Sequence, residues 1–229
     1  MTSGPNGKRL AMKVFQIGFN KCGTHSLHQR FLALGLNSVH WASGKIARRM
    51  NQNIENGYNV IAGLQDYDAF TDLMYISRDE HIEAFKYYDI ILLDVPDALF
   101  IYNTRNKENW LKSCCDHPNF LKRIQAVYGY KTADEVIDHW SRDWDEHYAN
   151  VVRTIPPEKL LVFNIETDDA REIDRFVGFP GDLPRTLAHA NFTYSRSFGF
   201  LLRNIPSSVK RLMPEKVRHK VRYALRARR

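Results

Sequence analysis

The stretch QIGFNKCGTHSL, residues 16–27, places four residues between Gly18 and Gly23, Lys21 among them, with Thr24 directly after. That glycine spacing belongs to a loop whose backbone amides wrap an anion, with the first turn of a helix behind them. An ATP-binding loop of this kind carries lysine where Thr24 stands, followed by Ser or Thr; here the cation sits three positions earlier. The donor set offered to an anion is the amides of residues 20–25, the Lys21 ammonium and the hydroxyls of Thr24 and Ser26, with Cys22, Gly23 and His25 completing the loop. A second constellation lies in FIYNTRNKENWLKS, residues 100–113. Arg105 follows an apolar run and Ser113 comes eight residues later, about two turns into the next helix. A planar guanidinium at the end of a strand suits a dianionic phosphate, each charge-assisted bond contributing about 1.5–3 kcal/mol.

The elements that would position these groups follow from the apolar pattern. KVFQIG (13–18) is a short strand, and THSLHQRFLALG (24–35) a helix with Leu27, Phe31 and Leu34 at helical spacing, closed by Gly35. NSVHWA is a weak second strand, followed by a helix from about residue 43 to 55. GYNVIAG (57–63) reads as a third strand and DYDAFTDLMY (66–75) as an acidic, aromatic loop. Residues 79–93 begin as helix, with DIILLDV open to either helix or strand. ALFIYNTR (98–105) is a buried-type strand, and NKENWLKSCC a helix capped by Asn106. A long helix runs from Thr132 to about Thr154, its stripe of Val136, Trp140, Trp144, Tyr148 and Val151 facing the core. EKLLVFNI (158–165) is a further buried strand, and DDAREIDRFVG a helix stopped by Gly178. Strands alternating with helices imply parallel βαβ units. The expected fold class is therefore α/β, a three-layer sandwich with a central parallel sheet, like that of the P-loop NTPases. The expected organisation is a leader over 1–12, one α/β domain over 13–199 and a basic extension over 200–229.

Lysine inside a G-x4-G-T loop, then a strand ending in Arg with Ser eight places on, resembles the sulfotransferases that use 3′-phosphoadenosine 5′-phosphosulfate (PAPS). The resemblance runs over roughly residues 13–180. It implies that Lys21, Cys22, Gly23, Thr24, His25 and Ser26 hold the 5′-phosphosulfate, that Arg105 and Ser113 hold the 3′-phosphate, and that Arg196 in YSRSFG (194–199) completes that site. It also implies PAPS as donor, 3′,5′-adenosine bisphosphate (PAP) as product, and no metal, since a transferring sulfuryl group carries little net charge. Lys21 would stabilise the leaving phosphate. Members of the family take the acceptor's proton on a histidine or a carboxylate between the two sites. Asp72 in FTDLMY is the first candidate, with Asp66, Asp68, His25 and His40 as competitors. Trp41, Tyr67, Phe70, Tyr75 and Trp144 would flank an acceptor cleft suited to sugar or lipid-linked hydroxyls. The main rival is a kinase using Mg-ATP in which Asp94, at the end of IILLD, holds the metal; a non-catalytic nucleotide-binding module is the other.

Composition sets the outer bounds. At 229 residues and 44% hydrophobic content, the chain suits one globular domain. No apolar run reaches the length of a membrane span, and the first dozen residues lack the apolar stretch of a secretory signal. Three cysteines, two of them adjacent, give no disulfide framework or zinc spacing, which points to the cytoplasm. The net charge of +7 is concentrated at the end: residues 200–229 hold ten Lys or Arg against one Glu, leaving −2 for residues 1–199. Within that basic segment, residues 207–229 have the pattern of an amphipathic helix that could lie on an anionic membrane surface at the inner face, with nucleic acid the less favoured partner.

Overall fold

The computed structural model describes residues 12–117, 119–179 and 183–187. The first eleven residues of the leader, Arg196 and the basic segment 200–229 lie outside them. A five-stranded parallel sheet forms the centre, built from β1 (Val14–Gln16), β2 (Ser38–His40), β3 (Ala69–Thr71), β6 (Leu99–Thr104) and β7 (Leu160–Asn164) in the order β2-β3-β1-β6-β7. A separate antiparallel hairpin joins β4 (Met74–Ile76) to β5 (His81–Glu83).

Alternation along the strands builds a core on each face of the sheet. Val14, Ala69, Ile101 and Phe163 point to one side, where they meet Leu27 and Phe31 of α1 (Thr24–Ala33) and Ile173 of α7 (Arg171–Phe176). Phe15, Phe70, Phe100 and Tyr102 point to the other. There they lie with residues of α2 (Lys45–Glu55), α3 (Tyr88–Asp94), α4 (Lys107–Asp116), α5 (Phe120–Tyr128) and α6 (Ala133–Thr154). Phe15 and Phe70 stack with ring centroids 4.7 Å apart. A parallel sheet covered on both faces is the three-layer α/β arrangement expected.

Helix ends follow their caps. Asn106 Oδ1 accepts the Asn109 amide at 2.9 Å to start α4. Thr132 and Glu135 form a reciprocal capping box at the start of α6. The aromatic stripe of α6 is core, with Val136, Trp140, Trp144 and Val151 buried and Tyr148 exposed.

Three local readings need correction. Residues 57–63 are turns, not a strand: Val60 and Ile61 are buried, but their backbone groups are taken by side chains, Asn53 Nδ2 donating to Val60 O at 3.0 Å and Asp94 Oδ2 accepting the Val60 amide at 2.6 Å. The third strand instead lies inside the stretch read as a loop. Ala69, Phe70 and Thr71 are all buried, so the strand carries no alternation to betray it. Residues 81–83, read as the start of a helix, are instead β5 of the hairpin, while DIILLDV, open to either reading, is α3, a helix ending at Asp94.

One buried ion pair ties α1, the helix behind the glycine loop, to α7. Arg30 Nε donates to Asp174 Oδ1 at 2.7 Å and Nη2 to Oδ2 at 2.5 Å, while Nη1 donates to Pro184 O at 2.7 Å. Both side chains are at most 5% exposed. Asp174→Ala strands the guanidinium without its partner and is expected to cost about 3–5 kcal/mol of stability, measured by urea denaturation.

Candidate active site

All the groups singled out by the glycine loop and the strand ends meet at one edge of the sheet. The loop 17–23 follows β1, Asp72 follows β3, His40 ends β2 and Arg105 follows β6. This is the carboxyl edge, and β1 and β6 flank the point where the strand order reverses, the usual ligand crevice of an open α/β sheet.

The loop is held from behind through its carbonyl groups. Asn103, buried in β6, donates from Nδ2 to Cys22 O at 2.7 Å and Phe19 O at 3.3 Å, and its Oδ1 accepts from the Gly18 amide at 3.0 Å. Trp110 Nε1 donates to Asn20 O at 3.0 Å, and His147 Nε2 bonds Ile17 O at 2.7 Å. Gly18 is required by contact: a Cβ there would stand 2.0 Å from Asn103 O. Gly23 is required by conformation, with φ 76° at the residue preceding α1. Among the described residues, the amides of Gly23, Thr24, His25 and Ser26 meet no acceptor, so the first turn of α1 presents a free anion nest.

Cys22 is fully buried and burial pushes its thiol up, so only its backbone faces the loop's work. Lys21 has a left-handed backbone, φ 66°. Burial pushes its ammonium below the ordinary value; Cys114 and Asp72 oppose that and Arg105 adds to it. Arg105 donates from Nη1 to Lys21 O at 3.2 Å, so the two cations share one cleft. The opposite edge of the Arg105 fork is set by Glu166, just past β7: Nε and Nη2 reach Glu166 Oε1 at 3.0 and 2.6 Å. Glu166 also accepts from the Asn106 amide at 3.0 Å and Asn109 Nδ2 at 3.2 Å. Burial alone would raise the Glu166 carboxyl; the Asn106 amide and Arg105 outweigh it and hold it below its usual range. Ser113 lies on α4 one turn beyond Asn109, half-buried.

Asp72 is the carboxylate that reaches this cleft. Its backbone is left-handed, φ 56°, and fixed by Gln16, whose Oε1 accepts the Asp72 amide at 2.8 Å. The same Gln16 donates from Nε2 to Asn103 Oδ1 at 2.7 Å and to Gly18 O, joining the base candidate to the loop. Burial pushes the Asp72 carboxyl up to about 6, with Lys21 pulling the other way. Asp66 and Asp68 are set at the amino end of β3: Asp68 Oδ2 caps the Asn37 amide at 2.9 Å, and Asp68 lies 3.7 Å from Lys13. His40 stays beside Asp72, Nε2 at 3.6 Å from Asp72 Oδ2, and His25 stacks on His40 with ring centroids 5.1 Å apart. Of the expected aromatic cleft, Phe70 and Trp144 are core and Tyr67 belongs to the amino end of β3, which leaves Trp41 and Tyr75 on the Asp72 side. Asp94 ends a helix with its carboxylate on the Val60 amide, away from the position a metal-holding strand end requires.

Gln16, Asn103, His147 and Glu166 were not singled out from the sequence. Two of them carry a visible signal: Gln16 in KVFQIG and Asn103 in FIYNT are polar residues inside apolar strand runs.

Residues 13–123 match the model of a family described as a sulfotransferase domain. That stretch runs from the strand before the loop into α5 and contains Lys21, Asp72, Arg105 and Ser113. The crystal structure of a sulfotransferase from Alicyclobacillus acidocaldarius is similar at 14% identity and a TM-score of 0.45, over 88% of this chain and 90% of that one. No curated protein matches the chain. The domain match covers just under half of the chain and makes residues 13–123 similar to a sulfotransferase domain. No helix of the described residues is long and apolar enough to cross a membrane.

Asn103→Ala would leave the Gly18 amide and the Cys22 carbonyl buried without partners. It is expected to cost about 2 kcal/mol or more in urea denaturation, each orphaned group being worth about 1–3 kcal/mol.

Proposed function

We propose that the protein moves a sulfuryl group from PAPS to an acceptor hydroxyl, releasing PAP. The observation that carries this reading is the meeting of Lys21, Arg105 and Asp72 in one cleft, with Arg105 bonded to the Lys21 backbone and the Lys21 charge acting on Asp72. The residues present fit such a donor. The unpartnered amides of Gly23 to Ser26 suit the 5′-phosphosulfate, with the Thr24 and Ser26 hydroxyls beside them. Glu166 and Lys21 O take one edge and one N–H of the Arg105 fork, leaving one N–H on each of Nη1 and Nη2 for a 3′-phosphate, with Ser113 a turn beyond.

Bound there, the donor supplies an electrophilic sulfur and a phosphate leaving group. Lys21 holds a positive charge where negative charge grows on that leaving group. Asp72 accepts the proton of the acceptor hydroxyl, its raised proton affinity making it a stronger base than an ordinary carboxylate. Trp41 and Tyr75 flank the acceptor side, and aromatic faces suit a sugar or lipid-linked hydroxyl. The basic segment 207–229 supplies a route to an anionic membrane surface carrying such an acceptor.

Calorimetry with PAP and with ATP, each with and without Mg²⁺, tests the donor class. PAP is expected to bind independently of Mg²⁺ and more tightly than ATP; tighter, Mg²⁺-dependent ATP binding would sink the reading. With PAPS and a panel of hydroxyl acceptors, PAP release is expected to fall about 10²- to 10³-fold in Lys21→Met. Asp72→Asn is expected to cost about 10²- to 10⁴-fold. The base works only when ionised, so the rate is expected to be lost as pH falls through about 6, the range to which burial raises Asp72. A rate flat from pH 7 to 5 would remove Asp72 from the role.

A further inference from the structure

The histidine beside Asp72, His40, belongs to a group of three whose side chains this reading leaves unused. His25 and His28 of α1 and His40 of β2 stack with ring centroids 5.1–6.0 Å apart and planes within 23° of parallel. Among the described residues no three His, Cys, Asp or Glu converge as metal ligands, so the stack is not a metal site in disguise.

The hydrogen bonds of Thr71 bear on the tautomer of His40. The Thr71 hydroxyl has one proton and donates it to Val39 O at 3.1 Å. With the hydroxyl turned to Val39 O, the Thr71 oxygen, 3.0 Å from His40 Nδ1, accepts, and we take the His40 proton to stand on Nδ1. Nε2 keeps its lone pair and faces Asp72 Oδ2 at 3.6 Å. With Asp72 ionised, two acceptors face each other; with Asp72 protonated, a donor faces an acceptor. His40 does not supply the proton itself. Burial draws its affinity for a second proton down to about 4, and charge on His25 and His28 lowers it further. Burial and His25 depress His28 likewise, and His28 Nδ1 is engaged with Ser38 Oγ at 2.9 Å. The other charge facing Asp72 is Lys21, and the neutral group is Gln16, which takes the Asp72 amide.

We propose, resting on Asp72 as the base, that His40 is a positioning residue that makes Asp72 hold a proton. As the acceptor's O–H bond breaks, its electron pair stays on the acceptor oxygen and its proton bonds to Asp72 Oδ2. That new O–H donates to His40 Nε2. Burial keeps His40 neutral, and so able to accept.

The test needs neither donor nor acceptor. In full-length protein labelled with ¹⁵N-histidine and ¹³C-aspartate, NMR is expected to show His40 protonated at Nδ1 and bare at Nε2 at neutral pH. The Asp72 carboxyl midpoint is expected to fall by about one unit in His40→Phe, a roughly tenfold weaker hold on the proton, because the hydrogen bond to the neutral acid is lost. His28→Phe, which alters the stack without touching Asp72, is expected to leave that midpoint in place. A proton on His40 Nε2 in the wild type overturns the proposal even if His40→Phe fails to fold. So does an unmoved midpoint in His40→Phe, or an equal shift in His28→Phe. Should these fail while PAP still binds, only the role of His40 falls; should they succeed while PAP does not bind, the sulfuryl reading falls instead.

Discussion

The shape of the site depends on one buried carboxamide. Asn103 sits one residue from the carboxyl end of β6 and bonds the glycine loop on both sides, accepting from Gly18 and donating to Cys22 and Phe19. A loop whose carbonyls are satisfied from within the protein is free to turn its amides outward, which is what an anion nest requires. Gln16 extends the same network to the Asp72 amide, so the anion nest and the carboxylate are parts of a single hydrogen-bonded frame.

Within that frame the charges are poorly balanced before any ligand arrives. Lys21 and Arg105 lie close enough for Arg105 to weaken the Lys21 hold on its proton. Glu166 neutralises the outer edge of Arg105, and Asp72, half-buried and with raised proton affinity, offsets Lys21 only in part. An incoming group with several negative oxygens relieves this strain. Burial, against the pull of Lys21, leaves Asp72 short of full ionisation near pH 6.

The strong local signals in the sequence were enough for the loop, the strand carrying Arg105, the capped helices and the α/β class, because glycine spacing, caps and long apolar periodicities survive any tertiary context. The third strand was not legible. Ala69, Phe70 and Thr71 are buried on both faces, so the run lacks alternation, and the acids around it imitate a loop. Residues 57–63 misled in the opposite direction, since their apolar side chains are core but their backbone is satisfied by Asn53 and Asp94. Asp72 was found by its place between the two phosphate-site candidates. Asp66 and Asp68 could be separated from it only once the strand ran between them and the cleft. Glu166 was invisible because its role arises from β7 lying beside β6, a neighbour relation no local pattern encodes.

The contact at Gly18 restricts how this sequence can drift. Its missing Cβ is excluded by main-chain atoms of β6, Asn103 O at 2.0 Å and N at 2.8 Å, and not merely by a side chain that a second substitution could shorten. No compensating change elsewhere opens room for even a methyl group unless β1 and β6 separate, and that would undo the ladder pairing Gln16 with Ile101. Residue 18 is thus closed to mutation, whereas positions 19 and 20, whose carbonyls rather than side chains carry the staple, are open to divergence wherever the aromatic core around Phe19 permits.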